Sequence, residues 1–316
     1  MSAKRLSLKE ASANFETLIA RVKNREEFID WIHEEYCEND NAKPLFVTDA
    51  IKKLRDIADH IRMKIPDGTV KSEKIVWPTG GHDADCEERN TVHVDCFLYD
   101  DKAMEEMIKA GKFQKRYCVD CGSRNVQDLN FISHSLSHPQ LEFIFTQLVP
   151  LKSRPEGFRV VDIGSRLGAV VFAASLFGSG HVTATGVEMN DELARLQEDV
   201  IKDFNLQNIE IVHADIRTRP DVISQADLII MNNVFSFFLS SDEQADCFEF
   251  VHRNAKKGCL IVHNPEISTV LTHLKLTFKT EEWLEKISTA EDCEMFANGD
   301  QDVLSDCEML GFYRVR

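Results

Sequence analysis

The stretch FRVVDIGSRLGAVVFAASLF, Phe158 to Phe177, begins as an apolar strand and continues as a helix, with an aspartate, two glycines and an arginine at the join. A strand that enters a helix through such a turn offers free helix-terminal amides and a backbone that a ligand can approach closely. Gly164 supplies a positive φ and Gly168 allows the helix to pack closely. One such turn does not choose its ligand. A dinucleotide, a phosphate or another cofactor would suit it.

The strands that follow narrow the choice. Glu188 closes ATGVE about twenty residues beyond the last glycine, where a carboxylate can accept from both hydroxyls of a ribose. One strand later, HAD puts Asp215 at a strand end, suited to an adenine amino group. A nicotinamide dinucleotide site does not ordinarily need that second acid, so an oxidoreductase is the less favoured reading. From about Pro139 to the C-terminus, helical and apolar-strand segments alternate, which predicts an α/β, doubly wound, mostly parallel sheet.

The ordered set DIGSRLG, GVE and HAD resembles the cofactor site of the class I, seven-stranded S-adenosylmethionine-dependent methyltransferases, over residues 139–316. The resemblance implies a Rossmann-like sheet of seven strands closed by CEMLGFYRV. It places the methionine part of S-adenosylmethionine at Gly164, Ser165 and Gly168, ribose at Glu188 and adenine at Asp215, with Asp162 supporting the turn. The family's pattern has a glycine where this chain has Arg166. Its side chain either points away from the cofactor or contacts the cofactor's carboxylate; if it closes the pocket, the domain is a non-catalytic scaffold.

In this fold the acceptor lies near the end of the fourth strand, here LIIMNNVFSFF. Asn232 and Asn233 stand where enzymes acting on exocyclic amino groups of bases or on glutamine amides carry an Asp/Asn-Pro-Pro-aromatic tetrapeptide. The Asn-Asn-Val-Phe run is similar to the non-SET histone-lysine methyltransferases. Asn232 is assigned to the cofactor, Asn233 and Phe235 to orienting the acceptor, and Phe237 and Phe238 to core packing.

Upstream, helical spacing runs from about Leu6 to Arg62, with Phe15, Leu18, Ile19 and Val22 on one face. The expected organisation is a helical region over 1–75, a linker and Cys/His module over 76–138, and the methyltransferase domain over 139–316. In the middle segment TVHVDCFLYD alternates as a strand, and Cys118-x2-Cys121 followed by His134 and His138 has the spacing of a structural zinc site. His82, Cys86, His93 and Cys96 are rival ligands. His134 could instead line the cofactor pocket with Ser133 and Ser135.

The net charge of −16 argues against non-specific nucleic-acid binding and favours a protein acceptor with basic segments, with an RNA held in a local basic groove or a small molecule as the alternatives. No signal-like N-terminus and no run of about eighteen apolar residues occurs, so a cytoplasmic or nuclear protein without a membrane partner is expected. Nine cysteines then read as thiols or metal ligands.

Overall fold

The computed structural model describes residues 49–316, apart from residues 67, 71, 81–82, 89, 113–115, 119–125, 129 and 179, and a few positions before 49; for residues 101–102, 116–118, 126–128 and 130–131 only the backbone is described. Two compact units emerge, Met1–Asp49 and Ala50–Arg316. In the first, the described positions Asn14, Phe15, Leu18, Ile19 and Arg21 are helical. Arg25 and Phe28 are helical too, whereas Val22, expected on the same helical face, is not in a helix; the remaining expectations before residue 49 lie outside the described residues.

The second unit is built on seven strands: β1 (Phe158–Ile163), β2 (Val182–Glu188), β3 (Ile209–His213), β4 (Leu228–Asn232), β5 (Leu260–Asn264), β6 (Leu284–Lys286) and β7 (Gly311–Val315). Their order across the sheet is β3-β2-β1-β4-β5-β7-β6. The first five are mutually parallel, and β7 runs antiparallel to both β5 and β6. This is the expected doubly wound α/β sheet. Its strand order reverses between β1 and β4, and in such sheets the crevice beyond the strands' carboxyl ends at the reversal takes the ligand.

The central strands are apolar because helices cover both faces. In β4, Leu228, Ile229, Ile230 and Met231 are almost wholly buried. Helix α1 (Ala169–Gly178) is buried nearly all round, while α2 (Asp191–Asp203) buries Leu193, Ala194, Leu196 and Val200 and is capped by the Asn190 side chain. A capping box between Ser240 and Glu243 starts α3 (Ser241–Asn254), which sends Phe248 and Val251 into the core.

The described residues between 76 and 138 belong to the same unit as this sheet. The run expected as one strand is paired only over Thr91–His93, in parallel register with Asn130–Ile132. Beyond it the Asp95 carboxylate accepts from the amides of Phe97 and Leu98 and turns the chain. Among the described residues no helix is long and apolar enough to cross a membrane.

Ile229, fully buried on β4, gives a direct test of the core. Ile229→Ala should cost about 2–5 kcal/mol in urea unfolding; a loss below about 1 kcal/mol would contradict the placement of β4.

Candidate functional site

The turn after β1 is bound to the neighbouring strand: the amides of Gly164 and Ser165 both donate to the Val187 carbonyl, at 2.9 and 3.1 Å. Gly164 has φ 72° and Gly168 φ 84°. A Cβ on Gly164 would sit 2.1 Å from Val234, and one on Gly168 would sit 2.4 Å from the Phe172 ring. The glycines therefore serve the protein's own packing, and Gly164 lets the loop after β4 close down on the turn after β1.

Glu188, at the end of β2, is 8% exposed. Its Oε2 accepts from the Arg166 amide at 2.8 Å and its Oε1 from the Asn190 amide at 2.7 Å. Burial raises its pKa against the pull of those two amides. Each oxygen thus takes one backbone donor, and its second lone pair remains for a ligand.

A cavity of about 300 Å³ opens at the carboxyl ends of β1, β2 and β4, at the small end of the range of about 300–1,000 Å³ for ligand pockets. Gly164, Glu188, Asp215 and Asn232 line it, with Val234, Phe235, Phe238 and Leu239 as an apolar wall. The Asn232 amide nitrogen is buried without a partner, while its oxygen accepts from Asn264. Asp215 caps the next turn and holds Arg217 at 2.6 Å. The Arg217 hydrogen bonds lower its pKa, so it stays ionised.

The other expected site residues lie elsewhere. Asp162, Ser165 and Gly168 stand off the cavity wall. Asp162 is 4% exposed, and burial, then the Glu188 charge, pushes its pKa up to about 8. Asn233 is also off the wall, in the left-handed region at φ 43°, its amide donating to the Asn264 carbonyl. Phe235 is on the wall, edge-on to Phe248. Phe237 is core, as expected, whereas Phe238 reaches the cavity.

Arg166 lies in the left-handed region, at φ 45°, a conformation that costs a non-glycine residue about 1–2 kcal/mol. Its side chain turns to partners that sequence reasoning missed. Nε donates to Glu73 at 2.9 Å, Nη1 to Asp95 at 2.6 Å and Nη2 to the Gly68 carbonyl at 2.5 Å. All three side chains are buried. Burial opposes the charge of Arg166, but Asp95 and Glu73 outweigh it and raise its pKa. The same Asp95 oxygen accepts the Ser135 hydroxyl at 2.7 Å, so the guanidinium ties Gly68, Glu73, Asp95 and Ser135 to the turn after β1.

The Ser133–Ser135 turn brings His134 to the cavity, where its ring stacks on His93 with Nε2 2.7 Å from His93 Nδ1. Burial, then Arg166 and His93, lowers its pKa well below the usual imidazole value. His138 begins the helix His138–Phe143 and packs edge-on to Phe97. Cys121 and the Cys118 side chain lie outside what is described. Among the described residues no three His, Cys, Asp or Glu side chains converge as metal ligands, so the zinc expectation gains no support. His134 lines the cavity, and the Ser133 and Ser135 side chains bond beside it.

The strand order, with its single reversed strand β7, is that of the seven-stranded Rossmann-like fold of the class I methyltransferases. No protein-family model matches the chain, and no curated protein matches it. Solved structures similar to it include MtNAS in complex with S-adenosylmethionine, at TM-score 0.36 and 15% identity over 48% of this chain and 56% of that one. A SAM-dependent O-methyltransferase from Thermotoga maritima gives 0.37 and 17% over 50% and 56%, and the cyclase SpnF 0.36 and 13% over 55% and 79%. The chain thus spans little more than half the length of the first two. At these scores the likenesses carry no argument about the reaction.

Replacing Arg166 by glycine relieves the backbone but leaves two buried carboxylates without their cation. Arg166→Gly should lose about 3–5 kcal/mol in urea unfolding, and adding Glu73→Gln and Asp95→Asn should restore part of it. A stable Arg166→Gly single variant would show that the clamp is dispensable.

Asp162 gives a pH test. Its folded pKa, about 8, lies above the ordinary 3.8, so its contribution to stability is complete below pH about 4 and is lost as pH rises through about 8. Unfolding free energies measured across that window should show Asp162→Asn gaining on the parent as pH rises. A constant difference would mean that Asp162 is ionised in the fold.

Proposed function

We propose that this chain is an S-adenosylmethionine-dependent methyltransferase. The observation that carries the proposal is the Glu188 carboxylate, fixed at the end of β2 by the Arg166 and Asn190 amides and facing a cavity at the switch point of the sheet. The residues present fit the cofactor. Glu188 retains acceptor capacity for a ribose, the partnerless Asn232 amide offers a buried donor, and Asp215 supplies an acidic group at the end of β3. When bound, S-adenosylmethionine supplies a methyl group already activated on a sulfonium.

The protein's share is then alignment and the exclusion of water, and alignment alone can be worth about 7 kcal/mol or more. Phe235, Phe238 and Leu239 make the dry wall. Arg166 holds the segment around Glu73 over the turn, which places Ser72 and Lys74 at the rim. Its guanidinium is engaged by carboxylates and the cavity remains open beside it, which supports the enzyme over the scaffold reading. For the acceptor we infer a protein side chain, since the chain's net charge of −16 would attract basic segments.

Calorimetric titration with S-adenosylmethionine and S-adenosylhomocysteine should show binding of both, weakened about tenfold or more in Glu188→Gln through the loss of charge-assisted hydrogen bonds. A folded parent that binds neither would overturn the proposal.

A further inference from the structure

The Glu188 cavity lies at the carboxyl ends of the strands. A second cavity, of about 370 Å³, opens at the opposite end of the sheet. Phe158 opens β1, Asp227 precedes β4 and Leu260 opens β5, and all three line it. Arg314 of β7 joins them opposite Leu260 in the antiparallel register, and Arg154 comes from the segment that leads into β1. Nothing in the cofactor assignment uses this end of the molecule.

The charges around this cavity do not balance. Asp227 is the one carboxylate among the described lining residues, and it is already answered: Oδ1 accepts from Lys256 Nζ at 2.6 Å and Oδ2 from the Arg159 amide at 2.9 Å. Arg314 stands 3.4 Å from Glu285, with both side chains half exposed, so that pair is weak. Arg154 has no hydrogen bond or ion pair among the described residues. Its guanidinium lies over the Phe158 ring, 5.4 Å from the centroid. Every other described arginine side chain is either exposed or paired with a carboxylate. Arg154 alone is drawn from water with nothing to replace it, and that burial pulls its pKa down. In a chain with 53 acidic residues against 37 basic ones, a half-buried arginine without a carboxylate is a vacancy for an anion.

We infer that this cavity binds a small organic oxyanion, a carboxylate or phosphate group on an apolar body, with Arg154 as its principal contact and Arg314 as the second. A guanidinium whose flat face rests on an aromatic ring keeps N–H groups at its edge, and their fork matches the paired oxygens of such a group. Phe158, Leu260 and Phe312 supply an apolar floor for the rest of the ligand. The volume lies within the range of about 300–1,000 Å³ of small-molecule sites.

The probes are benzoate and phenyl phosphate, with benzyl alcohol as the neutral control, each titrated calorimetrically into the full chain. At least one anion should bind saturably at a single site, about tenfold or more tighter than benzyl alcohol, the worth of a charge-assisted hydrogen bond. The tighter of the two anions identifies the head group. Arg154→Met should weaken that binding about tenfold or more. Arg314→Met should weaken it less, and Glu285→Gln, which releases Arg314, should strengthen it. Without ligand, Arg154→Met should melt at the parent's temperature or above, because it removes an unanswered charge. Anion binding that is absent from the parent, matched by benzyl alcohol or unchanged in Arg154→Met would overturn the inference. So would a marked fall in the melting temperature of ligand-free Arg154→Met, which would make the arginine a structural residue. The prediction stands whether or not the chain binds S-adenosylmethionine.

Discussion

The buried contact of Arg166 with Glu73 and Asp95 is the constraint on which the rest of the site depends. It puts one cation and two anions inside the protein, where each charge is tolerable only because the others and several backbone groups answer it. Asp95 takes the guanidinium, the Ser135 hydroxyl and the amides of Phe97 and Leu98, and so makes one packing unit of three distant segments. The Arg166 backbone amide meanwhile holds Glu188. One residue thus sets both the acid at the floor of the cavity and the segments along its rim.

The layers above that clamp follow in order. Apolar strands buried on both faces fix the sheet, and the reversal of strand order between β1 and β4 opens the crevice. Gly164 lets Val234 approach, which brings the loop carrying Phe235 and Phe238 over the opening. The Ser133–Ser135 turn, anchored on Asp95, then presents His134 opposite that aromatic wall. Each step uses the one before it, so a change at the clamp reaches the cavity through bonded contacts.

Much of this was legible from local sequence. The glycine turn, Glu188 and Asp215 are strand-end features whose meaning depends on residues a few positions away, and the alternation from Pro139 onward fixes the layers. Glu73 and Asp95 were not legible, because they meet Arg166 across 93 and 71 residues of chain, and no local pattern marks such a pairing. A hint existed: an arginine between an apolar strand and an apolar helix needs carboxylates from somewhere. The expected long strand failed at Asp95 for the same reason, since a side chain drawn into a long-range contact also turned its own backbone. Spacing alone offers His134 as a metal ligand, and it carries no sign of the long-range contact with His93 that the described residues show.

The most direct measurement is a crystal structure of the chain with S-adenosylhomocysteine bound. The Arg166 guanidinium should still lie on Glu73 and Asp95, its amide on Glu188, and the ribose hydroxyls on the same carboxylate. A guanidinium swung off Glu73 and Asp95 onto the ligand's carboxylate, with the segment around Glu73 displaced, would contradict that arrangement.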